Sequence, residues 1–377
     1  MKITTIRFNT NLIRTIFSLI YTKLFKNVNL FFLPNLEKKK FEHKFNLKKN
    51  DVLIKTLLCG YCGTDKKIIT FDMSVFSSAF LDSPKHKSKM IYLGHEIVGQ
   101  VVAKGRNVKK IKLNDKVIFD SVIRNSKDEK NNVFGGFTNY FVKNENQLEV
   151  INKRLPNDKA ILIEPLACSL AAIKKTLIKK NDKILIIGGG IIGQGIMHLL
   201  RHFYGNKIKI VIATNSKDHL SVMNKSLPNN IIYKKNIFIE SKKILKTNYK
   251  SILNNKIISN GYDIIFECSG SDEMINKAMR LTSKNSEILL AGMNMNYVKI
   301  DPTPIWHRNI KIKASMDYKY KYSEFKKTTL RYIHDLIYEN KININNLKIK
   351  KIGINEWHKL FNKKNYGSIK KAITFND

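Results

Sequence analysis

The chain has 377 residues, 43% hydrophobic and 10% aromatic, which is enough for two domains with separate cores and too apolar for a disordered protein. Its 68 Lys and Arg against 30 Asp and Glu give a net charge of +38, a balance that attracts phosphates, nucleic acid and anionic lipid. The cations are spread along the chain among Asn and Ile with no basic tail, as drift in an A/T-rich coding sequence would leave them, so no specific nucleic-acid partner is expected. Four cysteines are too few for a disulfide framework and favour a reducing, cytoplasmic setting.

Residues 11–36, NLIRTIFSLIYTKLFKNVNLFFLPNL, are apolar and basic. Arg14, Lys23 and Lys26 interrupt them short of the roughly 18–20 apolar residues of a membrane span, and no small-residue cleavage site follows. Leu12, Ile16, Ile20 and Leu24 fall four apart, predicting an amphipathic helix docked on the folded body rather than on a membrane surface. DVLIKTLL from 51, the two apolar runs of IVGQVVAKGRNVKKIKLNDKVIF from 97, and GGFTNYFV from 135 then read as strands. From LPNDKAILIEPLACSLAAIKKTL the pattern becomes helical, with Leu166, Leu170, Ile173 and Leu177 near one face. Short apolar strands then alternate with helices, as in parallel βαβ units: KILII, KIKIVIATN, YDIIFECSG and SEILLAGM. Strand-like alternation resumes in DPTPIWHRNIKIKASM, from 301. The expected divisions are 1–155, mainly β, 156–300, a doubly wound α/β domain, and 301–377, a return to the first.

Gly188, Gly190 and Gly193 fit G-x-G-x-x-G, with Ile191 and Ile192 between the last two. The strand before and the apolar helix after them give the pattern its mechanism. The first glycine permits a tight turn, the second admits a pyrophosphate, and the third lets helix and sheet pack closely. The next strand ends in Asn215, Ser216 and Lys217, where an acid would select NAD. Asn215 does not repel a 2′-phosphate and Lys217 attracts one, which favours NADP; Asp218 is the alternative acid if the strand ends later.

CGYCGTD, residues 59–65, has no second C-x-x-C to complete a zinc knuckle, and glycines follow both cysteines where a thioredoxin-like motif would open a helix. His95 and Glu96 in GHE, and Glu164 in EPLAC, are its candidate partners. Thiolate, imidazole and carboxylate with one open position suit a catalytic zinc. Cys168 and Cys268 lie in apolar runs as expected buried thiols, and His198 and His202, four apart, read as a helix surface.

Together, CGYCGTD, GHEIVGQVVAKGRNVKKIKLNDKV, EPLAC, ILIIGGGIIG and FECSG resemble the zinc-dependent medium-chain dehydrogenases, in their order, over residues 51 to 292. The polyol (sorbitol) and threonine dehydrogenase branch is the nearest in flavour. The resemblance implies a GroES-like catalytic domain, a Rossmann domain and an active site in the cleft between them. It also implies a small-molecule alcohol or carbonyl substrate and a homodimer or homotetramer. Cys62 and His95 match the family's zinc ligands, Glu96 is a direct ligand or a supporting carboxylate, and Glu164 stands where polyol-type members carry a glutamate. Thr64 matches the hydroxyl relay for the alcohol proton. Asp65 is expected to orient His95. Cys59 is left as a small hydrophobe. Many relatives hold a structural zinc with four close cysteines after GHE; residues 120–137 contain none, so one catalytic zinc and no structural zinc is expected. The stretch 71–90 looks longer than usual and is expected near the cleft mouth. Two other readings are an inactive dehydrogenase fold binding nucleic acid or a membrane surface, and a zinc-free quinone or enoyl reductase, which has no use for Cys62, His95 and Glu164.

Overall fold

The computed structural model describes residues 1–9, 11–24, 33–70, 90–119, 135–252, 255–294, 297–315, 327–361 and 367–375. Strand β1 (Lys2–Asn9) pairs antiparallel with β2 (Leu36–Glu42), Phe8 opposite Leu36, and on its other edge with the short strand β4 (Met90–Tyr92). Helix α1 (Leu12–Leu24) occupies the excursion between β1 and β2. It docks, but by another face than the four-residue spacing predicts: Ser18 is buried and Leu19 and Tyr21 pack on the core, whereas Ile16 and Ile20 are half exposed. The side chains of Leu12 and Leu24 lie outside the described residues.

Strand β3 (Asp51–Gly60) is flanked by β5 (Glu96–Lys104) and touches β7 (Tyr140–Asn144), all antiparallel. Beyond β5 come β6 (Lys116–Phe119) and β8 (Leu148–Ile151). Valines and isoleucines of these strands, with Phe137 and Phe141, form the core of the first unit. Each such side chain contributes about 1.5–3 kcal/mol through burial. Between β3 and β5 sits the short helix α2 (Gly63–Ile69).

Helices α3 (Asn157–Ala160) and α4 (Ile163–Lys174) follow. Leu166, Leu170 and Ile173 are buried as expected, but α4 stops at Lys174 and Leu177 is exposed. The second unit holds β9 (Lys183–Ile187), β10 (Lys209–Thr214), β11 (Asn230–Tyr233), β14 (Tyr262–Glu267), β15 (Thr282–Leu290) and β16 (Lys311–Ala314). They pair in parallel in the order β11-β10-β9-β14-β15-β16. The order reverses between β9 and β14, the point beside which such sheets bind dinucleotides. Ile184, Leu185 and Ile186 are wholly buried, which is why these strands read as continuous apolar runs. A small antiparallel pair, β12 (Tyr249–Ile252) and β13 (Asn255–Ile258), stands apart from this sheet.

The return to the first unit comes later than expected. One unit comprises Met1–Glu164, Ile349–Tyr366 and Lys370–Asp377, the other Pro165–Lys348 and Gly367–Ile369. Residues after 301 form a helix, Thr303–Arg308, and then β16, the sixth strand of the parallel sheet, because a four-residue run says nothing about which sheet accepts it. The true return is β17 (Ile349–Gly353) and β18 (Lys370–Thr374), which complete a seven-stranded sheet against β3.

Candidate active site

The pairing of β3 with β5 and β18 builds the first site. Gly60 lies opposite Glu96 in β5 and opposite Ala372 in β18. A Cβ on Gly60 would stand 2.3 Å from Glu96 Oε2, so the glycine makes room for the carboxylate. The chain then turns through Tyr61, whose N–H donates to the Lys371 carbonyl at 2.9 Å, and enters α2 with Cys62 as its N-cap. Asp65, on the first turn of α2, accepts from the Cys62 N–H at 3.0 Å, the returning half of a capping box. Its other oxygen accepts from the Gly94 N–H at 2.9 Å, tying the loop before β5 to α2. Gly94 has φ +86° and faces Cys59 Sγ and Phe137, a place with no room for a side chain.

These constraints bring Cys62, His95 and Glu96 together: one ligand atom from each lies within 4.8 Å of the others. A thiolate, an imidazole and a carboxylate fit zinc's preferences, and three protein donors leave a position for substrate. Glu164 is not in this group, although its charge is felt by both His95 and Lys370. Cys59 is wholly buried in the core, where burial pushes its thiol pKa well up. Cys168 and Cys268 are half-buried, not buried as expected.

Burial acts to lower the His95 pKa, but the Cys62 sulfur, then Asp65 and Glu164, raise it well above the usual value. Asp65 Oδ1 is 4.0 Å from His95 Nδ1, facing it beyond direct hydrogen-bond length. Burial raises the Asp65 pKa against the opposing pull of His95 and the two N–H donors. The Cys62 thiol donates to Thr64 Oγ1 at 3.7 Å.

Lys370 carries no motif signal and is the residue that sequence reasoning misses. Its side chain is 3% exposed, and its Nζ donates to both Glu96 oxygens, at 2.6 and 2.5 Å. Burial alone would lower its pKa; Glu96, then Cys62, raise it well above the ordinary lysine value. A carboxylate has about four lone-pair sites, so Glu96 keeps acceptor capacity beyond this clamp.

In the second unit the glycine turn joins β9 to helix α5 (Ile191–Tyr204). Gly188 has φ +108°, Gly190 is the N-cap with only His219 nearby, and Ile191 and Ile192 open the helix. A Cβ on Gly193 would lie 1.9 Å from the Gly188 carbonyl oxygen, so helix and turn pack directly. Gln194 Nε2 donates to the carbonyls of Gly189 and His219, joining this turn to the loop after β10. That loop starts with Asn215, exposed, and Ser216, whose Oγ caps helix α6 (Lys217–Ser221) by accepting from the His219 N–H at 3.2 Å. Lys217 is exposed, and Asp218 is on α6 rather than at the strand end. Contrary to the surface reading, His198 is 4% exposed, and burial pulls its pKa down to about 4.

The alcohol dehydrogenase GroES-like domain family matches residues 48–153. D-arabitol-phosphate dehydrogenase of Enterococcus avium is 25% identical over 334 residues, covering 83% of this chain and 86% of its own. Sorbitol dehydrogenase of Halalkalibacterium halodurans is 23% identical over 336 residues, 83% and 88% of the two chains. A Sinorhizobium meliloti protein described as a zinc-binding dehydrogenase and solved with NADP superposes with a TM-score of 0.71 at 19% identity, over 100% of both chains. Together these likenesses support a zinc-type medium-chain dehydrogenase/reductase. Cys62, His95 and Glu96 could hold a metal ion, and the turn from Gly188 to Gly193 could receive a dinucleotide phosphate at the start of α5. The expected cysteine-free lobe at 120–134 and the long stretch 71–89 lie outside the described residues.

The glycine turn of this dehydrogenase allows a direct test. One overpacked methyl costs about 1–3 kcal/mol, so Gly193→Ala weakens dinucleotide binding by roughly tenfold in a fluorescence titration, with zinc content unchanged. Equal affinity in the variant would mean that the turn does not hold the cofactor.

Proposed function

We propose that this chain is a zinc-dependent oxidoreductase that moves hydride between an alcohol of the polyol class and NAD(P), with one catalytic zinc and a preference for NADP. The carrying observation is the convergence of Cys62, His95 and Glu96 within 4.8 Å. A zinc ion held there would supply Lewis-acid polarisation of a substrate hydroxyl, and a bound nicotinamide would supply the hydride acceptor. Asp65 braces α2 against the loop bearing His95, which holds the imidazole in place. Thr64, whose hydroxyl lies 3.7 Å from the Cys62 sulfur, passes the hydroxyl proton onward in this reading. Lys370 balances the charge of Glu96, and Glu164 adds a second carboxylate within electrostatic reach. The polyol class is supported by the arabitol-phosphate and sorbitol dehydrogenases among the relatives. A homodimer or homotetramer in the cytoplasm completes the reading.

NADP preference rests on Asn215, Ser216 and Lys217 after β10 and on the absence of a carboxylate at 215. A panel of polyols, sugars, hydroxy-amino acids and simple alcohols, run with NAD and NADP on zinc-loaded protein, tests both halves. Asn215→Asp with Lys217→Ala shifts the NADP:NAD ratio of kcat/KM toward NAD by roughly tenfold or more, as removing one attractive and adding one repulsive charge requires. Strong NAD preference in the unaltered protein would overturn this assignment and leave the zinc chemistry standing.

A further inference from the structure

Helix α1 turns its apolar stripe outward. Ile13 is 66% exposed, Ile16 48%, Phe17 64% and Ile20 50%, positions that share one side of a helix. The anchoring side is largely polar. The Ser18 hydroxyl donates to the Asn35 side chain, whose amide donates in turn to the Asn9 carbonyl and to the Thr15 hydroxyl. Arg14 reaches the Glu37 carboxylate at 3.1 Å and the Pro34 carbonyl at 3.3 Å. An ordinary surface helix has the reverse arrangement, with apolar side chains inward. Because Phe8 and Leu36 remain paired, the segment leaves the sheet and returns to the same place, so the β1–β2 pairing does not require the stripe.

We propose that α1 is a contact for an anionic lipid surface, with Ile13, Ile16, Phe17 and Ile20 entering the boundary between headgroups and acyl chains. Charge selects this occupant. Arg14 is balanced by Glu37, Lys23 and Lys26 add positive charge to residues 11–36 with no Asp or Glu among them, and the chain carries +38. A second copy would set like charge against like charge, whereas an anionic bilayer is complementary. At 13 residues α1 is about 20 Å long, enough to lie in the interface, and among the described residues no helix is long and apolar enough to cross a membrane. The proposal does not depend on the dehydrogenase reading.

The test uses the full chain and vesicles of phosphatidylcholine with or without phosphatidylserine, at low and at physiological salt. The protein sediments with the phosphatidylserine vesicles, and Ile16→Asn/Phe17→Asn weakens this by at least about tenfold with dehydrogenase activity and circular dichroism unchanged. In Phe17→Trp, indole emission shifts to the blue on adding the same vesicles. Three results overturn the proposal: no sedimentation of the unaltered protein, equal sedimentation of the double variant (general charge is then responsible), or a drop in oligomer mass in the double variant by ultracentrifugation (the stripe then faces another copy).

Discussion

Replacing Cys62 by Ser lowers kcat/KM by about a thousandfold or more and leaves the purified protein short of zinc. The hydroxyl of serine is a poor substitute for a thiolate at a zinc centre, and Lewis-acid polarisation is worth several kcal/mol, with each 1.36 kcal/mol a factor of ten in rate. Elemental analysis and steady-state kinetics on the same preparation read the two effects together. Cys59→Ser is the control: Cys59 lies in the core, three residues away and outside the ligand group, so that variant keeps its zinc even if its stability falls. Full zinc and full activity in Cys62→Ser would remove the basis for the proposed chemistry.

Lys370→Met destabilises the fold by about 3–5 kcal/mol, the cost of leaving one partner of a buried ion pair uncompensated. The partner is Glu96, 2% exposed on its side chain and held through both oxygens. Urea denaturation measures the loss as a lower midpoint. Lys370→Met/Glu96→Gln removes the stranded charge and recovers most of the stability, because apolar or neutral replacements of buried pairs are often nearly neutral. Equal losses in the single and double variants would show that the lysine acts by packing instead. The sign with pH follows from the raised Lys370 pKa: the pair's contribution is complete below the unfolded lysine value of about 10.4 and fades only as pH climbs through the higher folded value. At neutral pH the clamp is fully in force. The same variant tests the site, since Glu96 released from Lys370 can turn toward or away from the metal, and zinc content reports the outcome.

Some of this was legible before any coordinates. The glycine turn lies on a strand–turn–helix whose first glycine has positive φ and whose third leaves no space for a methyl, as the spacing implies. Cys62 and His95, 33 positions apart, do meet. Other features were not legible. Lys370 lies 274 positions from Glu96 in a chain crowded with lysines, and no local pattern marks one of 68 basic residues as buried. His198 looks like a surface histidine on periodicity, yet the helix that bears it is covered on that side, down to a backbone contact at Asn343. α1 was recognisable as an amphipathic helix but not by its exposed side, because Ser18 and Asn35 anchor it through hydrogen bonds that hydrophobic spacing does not encode.

By itself the amino-acid order determined the local events: which runs become strands, where glycine is compulsory, and which side chains have zinc and dinucleotide chemistry. Those outcomes depend on neighbours within a few residues, through backbone sterics and side-chain type. The tertiary structure alone decided that Thr303–Ala314 belongs with the parallel sheet, that a Glu96 oxygen lies within 4.8 Å of ligand atoms of Cys62 and His95, and that a distant lysine neutralises that carboxylate. Strand pairing and charge burial are settled between segments tens to hundreds of residues apart, from 24 positions for Glu287 and Lys311 to 274 for Glu96 and Lys370, where periodicity along the chain has nothing to say.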